Sequence, residues 1–473
     1  MPKLFGFQPL AMPGPRPVPF VGVPYKLFQF LDDPIAVMFR LRPYGDVVGV
    51  IADSPALVAV FGAERTKEVL SNPSVFQHDE TVFTGPPGSQ LDKLRYAIIA
   101  VNADVHRRHR QLMMPAFQRS ALEGYAEDIA VVTASILDRW RVNEEVRVDT
   151  LMRELTLSVA VRCFYGLDVL AGATELGHLA SDLVETLTSP LTILTPFNLP
   201  GMPYRKAVNL ADALLGRLAE LVAEKRAQGP GARDALSMLV HDSDREGARL
   251  TDDELVAEAT TLFIAGHETI AMTLSWTLFI LERHPKELDR LLDEIESVLG
   301  DRTPVPADAA RMPVLDRVIK ESMRIVPPVP LLFMRACSKE AGVGSYRLPP
   351  KANVLVSPLM AHRDERVFPE PRRFKPDRWI DFTPPAYTYL PYGGGPRVCI
   401  GAAFANQALR IMLPMILRRY RFTLRSGADV SRLTRANIMH FKHGLWMGVE
   451  PQHRRDRPIG PCTGDVVDLV DFG

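Results

Sequence analysis

Apolar residues recur at helical spacing through the middle of this chain. From about 120 to 284 the pattern keeps a period of three to four residues, interrupted only by turn signals at Gly166, Ser189-Pro190, Pro200-Gly201 and Gly229-Pro230-Gly231. The last part of this region predicts one long helix: Thr251-Asp252-Asp253-Glu254 reads as its capping box, and periodicity runs unbroken to His284-Pro285. Two more helices are predicted at about 286–299 and 307–325. Short alternating runs at 46–51, 57–61, 353–356, 421–424 and 445–449 predict strands, and 361–396 is a long proline- and glycine-punctuated coil. The pattern predicts a mainly α fold with a small β-sheet region, as a single domain over residues 1–473. A proline-rich extended segment (1–24) opens it and a C-terminal extension (451–473) closes it.

Composition adds what the chain is not. Apolar residues make up 47% and charged residues 24%, the balance of a protein that buries a large core, so disorder is not the default. Lys plus Arg equals Asp plus Glu at 56 each, so there is no whole-chain pull on nucleic acid or an anionic membrane. Four cysteines, Cys163, Cys337, Cys399 and Cys462, lack CxxC spacing, which argues against a zinc site or a disulfide framework and for a reducing, cytoplasmic location. Prolines at 2, 9, 13, 15, 17 and 19 break every apolar run of a signal peptide or membrane anchor. The stretch 262–281 is long enough to span a bilayer but carries His267 and Glu268, which favours a buried core helix.

Two places along the chain carry chemistry. Tyr392-Gly393-Gly394-Gly395-Pro396-Arg397-Val398-Cys399-Ile400-Gly401 leads into a helix predicted to start near Cys399. A helix N-terminus stabilises a thiolate through its partial positive charge and free N–H groups. Glycines let the backbone approach a flat macrocycle, and Arg397 can pair with a carboxylate. A lone cysteine in a glycine-rich turn is more often structural; the complete loop favours a metal thiolate. The second place is the middle of the long helix, where Gly266, His267, Glu268 and Thr269 interrupt an apolar run. A Thr269 hydroxyl bonded back to the Ala265 carbonyl would loosen the ladder into a groove for water or dioxygen. Taken alone, the same stretch reads equally as a satisfied polar insertion.

Weaker motifs surround these two. Glu321 and Arg324 share a helix face, a pairing worth only about 0–1 kcal/mol if exposed and common by chance. Phe374-Lys375-Pro376-Asp377-Arg378-Trp379 follows. Upstream, His106 and Arg110 lie one turn apart within His106-Arg107-Arg108-His109-Arg110. This run reads as a solvated basic face or a nucleic-acid patch; zero net charge and the lack of interleaved aromatics argue against nucleic acid.

In this order, from about residue 25 to 450, the motifs resemble those of the cytochrome P450 family. The loop matches aromatic-x-x-Gly-x-Arg-x-Cys-x-Gly, the helix centre matches Ala/Gly-Gly-x-Asp/Glu-Thr, and Glu321, Arg324 and Arg378 match the family's buried network. Three departures stand out: Tyr392 replaces the usual phenylalanine and its hydroxyl needs a partner, Gln407 stands where an acidic residue is common, and Pro414 is expected to kink its helix. The resemblance implies a cytochrome P450 fold holding haem b, with Cys399 as the axial iron ligand. It implies that Tyr392, Gly393, Gly401, Ala265 and Gly266 lie against the haem, and that His106, Arg110, Arg335 and Arg397 bind its propionates. Thr269 would handle dioxygen and Glu268 would relay protons from solvent.

The implied reaction inserts one oxygen atom into a small apolar substrate, such as a fatty acid, terpenoid, steroid or polyketide. Electrons would come from NAD(P)H through a ferredoxin or flavodoxin and its reductase, since the chain has no G-x-G-x-x-G unit or cluster-type cysteine set. Arg107, Arg108 and His109 are expected to face solvent and receive that acidic donor. Family analogy puts candidate pocket residues at Val82, Phe83, Phe263, Ala265, Val329, Leu331, Leu332, Ile438 and Met439. The expected state is a monomer without a membrane anchor. A peroxide-using or isomerising haem-thiolate enzyme is the alternative, and a haem sensor a more distant one.

Overall fold

In the computed structural model, Thr251 Oγ1 accepts the Glu254 N–H at 3.3 Å while the Glu254 carboxylate accepts the Thr251 N–H at 2.8 Å. This capping box starts a helix that runs from Asp252 to Arg283, 32 residues or about 48 Å. His284 leaves helical geometry at φ −128°, and Pro285 opens the next helix, Pro285–Leu299, at a position that needs no N–H. The structure describes residues 7–16, 22–79, 85–167, 173–243, 247–454 and 459–472.

The long helix is the axis of the core. Its apolar stretch is mostly covered by protein, 72% of the most hydrophobic window being buried. Helices Val148–Tyr165, Pro203–Gln228, Pro313–Ile325 and Ala402–Arg419 pack around it. The predicted helix 307–325 is two elements, a 3-10 turn Pro306–Arg311 and the α-helix Pro313–Ile325, because the Pro313 ring cannot continue a preceding helix. Pro414, in contrast, does not interrupt Ala402–Arg419.

The strands form small sheets beside this helical mass. The largest has the order Val47–Gly49, Leu57–Val60, Asn353–Val356, Arg335–Cys337, Phe76–His78. Its last register sets His78 opposite Arg335, which puts both side chains on one face. Strands Glu144–Arg147, Trp446–Pro451 and Tyr420–Leu424 form a second sheet. A hairpin, Arg432–Arg435 with Ile438–Phe441, turns through Ala436 and Asn437, both at positive φ (47° and 60°), the geometry that matches strand twist in a two-residue loop. It is fastened to the long helix by Trp276, which stacks on Phe441 at 3.9 Å between centroids and donates to Met439 O at 3.0 Å.

Both described ends of the chain pack on the rest of the fold. Residues 7–16 do run extended, with Gly49 N–H on Pro13 O and Leu10 N–H on Asp53 O, but Met12 is buried and a helix already begins at Gly22. The C-terminal extension docks over 459–472: Val466, Leu469 and Val470 are buried, Arg363 and Arg372 donate to the carbonyls of Leu469 and Val467, and Phe472 packs on Phe279.

Candidate active site

The loop around Cys399 is a chain of tight turns. The Cys399 N–H donates to Tyr392 O at 2.9 Å and Val398 N–H to Gly395 O at 3.0 Å. Gly395 sits at φ +68°, and a Cβ there would meet Leu70 O at 2.1 Å, so only glycine fits. The helix begins at Ala402, three residues later than expected, which leaves Cys399 ahead of the first turn rather than in it. Cys399 is exposed as a residue, and its sulfur accepts the Gly401 N–H. Burial pushes the thiol up, while the Gly401 N–H and the Arg110 charge pull it down. The Tyr392 hydroxyl has its partner, donating to Asn406 Oδ1 at 3.0 Å.

Beside the loop lies a cluster of cations and imidazoles. Arg397 reaches back to Ile98 O (3.1 Å), Val101 O (2.5 Å) and Asn102 Oδ1 (2.7 Å), and Arg110 donates to Val398 O at 2.7 Å. Together they clip the Cys399 loop to the helix Ala103–Met113. Arg335 donates to Phe333 O at 2.8 Å. Among the described residues none of these three arginines pairs with a carboxylate. Burial and then the charge of Arg397 pull Arg335 down to about 9, and burial pulls Arg397 down to about 10; both remain guanidinium at neutral pH. Burial and the Arg397 charge bring His106 to about 4, so it is a neutral donor.

His78 joins this cluster and was not anticipated. It is buried, its Nδ1 meets the carbonyl of Ile99, and its Nε2 has no partner among the described residues. Burial, followed by the charges of Arg335 and Arg397, holds it near 2. No sequence signal marked it, since pairing with Arg335 across the sheet is not visible in one segment. Buried cations and an orphaned imidazole nitrogen are the chemistry that binds paired carboxylates, so this donor set fits the two propionates of a haem.

At the centre of the long helix the side chains divide. Ala265 is exposed, Thr269 half-buried, and the Thr269 hydroxyl donates to Ala265 O at 3.0 Å. The helix nevertheless continues through this point, so the expected loosening of the ladder is corrected: small side chains, not a broken turn, open the surface. Gly266 backs onto Phe164 of Val148–Tyr165, where an added Cβ would lie 2.4 Å from the ring, so it serves the packing of the two helices. Phe164 in turn packs on Phe404 (4.7 Å) and Phe117 (6.2 Å), the latter beside Gly401, so one aromatic column links the two chemical segments. The Glu268 carboxylate accepts Arg153 Nε–H at 2.7 Å and lies 3.3 Å from His440 Nδ1. Burial would raise it, but the His440 bond and the Arg153 charge prevail and hold it at about 2.

Glu321 sits under five donors: Arg324 twice (2.8 and 2.9 Å), Arg378 Nε (3.0 Å), Lys375 N (3.0 Å) and Trp379 Nε1 (2.9 Å). Glu321 and Arg324 are fully buried. A buried charge pair is tolerable only when its remaining sites are filled, and Arg324 fills its own with the carbonyls of His362, Pro371 and Arg373. Trp379 was the member that motif spacing missed.

Of the candidate pocket residues, Ala265 is exposed and Val329 and Leu332 are half-buried. Phe263, Leu331 and Met439 are core, with Phe263 packed on Tyr165 and His267, and Ile438 is 9% exposed. Val82 and Phe83 lie outside the described residues. Phe333, 39% exposed between Leu332 and Arg335, is a further candidate. The expected basic docking face is corrected as well. His109 is fully buried between Glu258 and Glu254, and Arg108 is tied to Glu254 and Arg249 O; Arg107 alone of the three is mostly exposed, beside Asp104.

Known proteins resemble this chain in sequence and in fold. The family model "Cytochrome P450" matches residues 12–443. Cyclooctatin synthase of Streptomyces melanosporofaciens is 32% identical over 409 residues, 84% of this chain and 87% of that protein. Pentalenene oxygenase of Streptomyces avermitilis is 28% identical over 437 residues, 90% and 94% of the two chains. Among solved structures, the retinoic acid-bound cyanobacterial CYP120A1 superimposes with a TM-score of 0.81 at 22% identity, covering 94% of this chain and 100% of the other, which establishes likeness of fold. With the family matched across most of its length and its mainly α architecture shared, this chain belongs to the cytochrome P450 family of oxidoreductases.

Proposed function

We propose that the protein is a haem-thiolate monooxygenase that inserts one atom of dioxygen into an apolar, terpenoid-like substrate while the other leaves as water. The observation that carries this reading is the exposed Cys399, its sulfur accepting the Gly401 N–H, beside a cluster of His78, His106, Arg335 and Arg397 that lacks carboxylate partners among the described residues. Haem b bound there supplies the redox chemistry of dioxygen cleavage.

Cys399 would ligate the iron, and the cationic cluster with Arg110 would bind the propionates. The exposed Ala265 and the Thr269 hydroxyl would border the oxygen-binding space, with Thr269 holding a proton-bearing group at its oxygen. Val329, Leu332 and Phe333 offer apolar surface to a substrate. The terpenoid reading draws on relatives named for pentalenene oxidation and cyclooctatin formation. Electrons would come from NAD(P)H by way of a ferredoxin or flavodoxin and its reductase in the cytoplasm, with Arg107 the exposed cation of its helix.

The test is a substrate-binding difference-spectrum screen of the haem-loaded protein against cyclic terpenes, steroids, fatty acids and polyketides. Terpenes should bind, and turnover with surrogate redox partners should give a mono-oxygenated product with matching NAD(P)H consumption. Binding confined to another class would replace the substrate reading, and product formed with peroxide alone would replace the reaction.

A further inference from the structure

Glu268 touches three side chains that can carry protons, and their contacts set them apart. Arg153 donates Nε–H to Glu268 at 2.7 Å and Nη1–H to Asp149 at 3.0 Å. Burial disfavours its charge, but Glu268 and Asp149 outweigh that and keep it protonated. His267 lies with Nε2 3.8 Å from Glu268 Oε2 and Nδ1 2.7 Å from Phe263 O. It is buried, and burial favours its neutral form; its hydrogen is then spent on that carbonyl and Nε2 has none to give. His440, on the hairpin strand Ile438–Phe441, is the third, and its side chain is 15% exposed.

The single nitrogen His440 Nδ1 has two neighbours that require opposite states. It lies 3.3 Å from Glu268 Oε1, which can only accept, and 3.2 Å from Arg153 Nη2, which can only donate. With a hydrogen on Nδ1 the ring donates to Glu268; without it the ring accepts from Arg153. One proton therefore selects between the two contacts. Among the described residues the charged and titratable groups facing the ring are Glu268 and Arg153, with Asp149, Arg147 and His267 one contact behind.

We propose that His440 is the positioning residue through which Glu268 receives protons from solvent, an inference that rests on reading Glu268 as the proton relay of the dioxygen reaction. In the step, the Nδ1–H bond of the imidazolium breaks as an O–H bond forms on Glu268. The neutral ring, keeping its Nε2 hydrogen, then accepts Arg153 Nη2–H on the vacated lone pair. Glu268 returns to carboxylate when it passes the proton inward toward Thr269, and Nδ1 takes its next proton from solvent as Arg153 Nη2–H leaves its lone pair. No electrons move. Turning Arg153 toward the neutral ring also loosens the contact that holds Glu268 ionised, so one event delivers the proton and weakens its competitor.

The test uses the haem-loaded protein with surrogate redox partners and compares His440→Phe, His440→Gln and Glu268→Gln. All three should lower product per NAD(P)H measurably, since loss of a placed proton donor costs about 10²–10⁴-fold in the step it serves. The double variant should be no worse than Glu268→Gln. His440→Gln guards against misfolding, since its amide can accept from Arg153 but cannot carry the proton; wild-type coupling in that variant would make His440 structural and overturn the proposal. Independently of turnover, ¹⁵N-histidine NMR of the diamagnetic CO-bound ferrous protein should show Nδ1 of His440 switching between protonated and unprotonated positions in step with the pH profile of coupling. An Nδ1 that never changes state overturns the proposal. If Glu268→Gln is impaired while both His440 variants are normal, Glu268 keeps its role and His440 loses its own; if Glu268→Gln is fully coupled, the reading of Glu268 fails and this inference with it.

Discussion

His109 Nδ1 lies 2.7 Å from Glu258 Oε1, with both side chains fully buried, and its Nε2 lies 3.2 Å from Glu254 Oε1. The imidazole thus joins the helix Ala103–Met113, which carries His106 and Arg110, to the first turns of the long helix. Burial alone would lower His109, but the Glu258 bond and the carboxylate charges raise it above the usual histidine range; burial raises Glu258 as well. A raised value in the folded state contributes stability that is fully present below the unfolded value, about pH 6.5 for histidine, and is lost as pH rises through the folded value. We expect thermal stability to fall on the alkaline side, and His109→Phe to flatten that fall while lowering Tm at mildly acid pH. Removing one partner of a buried pair costs about 3–5 kcal/mol. A pH series of melting curves checks it, and an unchanged alkaline slope in His109→Phe would remove the clamp.

Cys399→Ser should abolish the red-shifted Soret band of the thiolate-ligated ferrous CO complex while the fold persists by circular dichroism. The serine keeps the Gly401 contact but offers no thiolate. Survival of the band would reassign the ligand.

Thr269→Ala should leave substrate binding and haem reduction nearly intact and divert reducing equivalents to hydrogen peroxide. Among the described residues the hydroxyl bonds only to Ala265 O within its own helix, and alanine is the better helix former, so the fold loses little. Loss of a placed proton-handling group costs about 10²–10⁴-fold in the step it serves, so product per NAD(P)H should drop measurably. Peroxide and product assays decide it; wild-type coupling would make Thr269 structural.

Gly266→Ala should destabilise the protein through Phe164, because the new Cβ would sit 2.4 Å from the ring edge. Overpacking of this kind costs about 1–3 kcal/mol. Adding Phe164→Leu should recover part of the loss in denaturant melts. If the double variant is worse than the sum of the singles, the two residues do not meet as described.

Local spacing determined much of this protein. Thr251 and Glu254 cap a helix because both partners lie within one turn, Glu321 and Arg324 share a face because three residues nearly close a turn, and the glycines around Cys399 follow from the backbone angles of a tight loop. Those are short-range geometries, readable wherever the residues are adjacent. What covers a given face is a long-range matter. His78 meets Arg335 only across a sheet assembled from distant segments, His440 reaches Glu268 only because the hairpin is pinned to Trp276, and Gly266 turns toward Phe164 because two long helices cross there. His109 and Arg108 read as solvent-facing beside Arg107, yet carboxylates on another helix claim them. The order of motifs decided the chemistry; the packing of one buried helix against its neighbours decided which side chains take part in it, because burial and pairing depend on elements far apart in the chain.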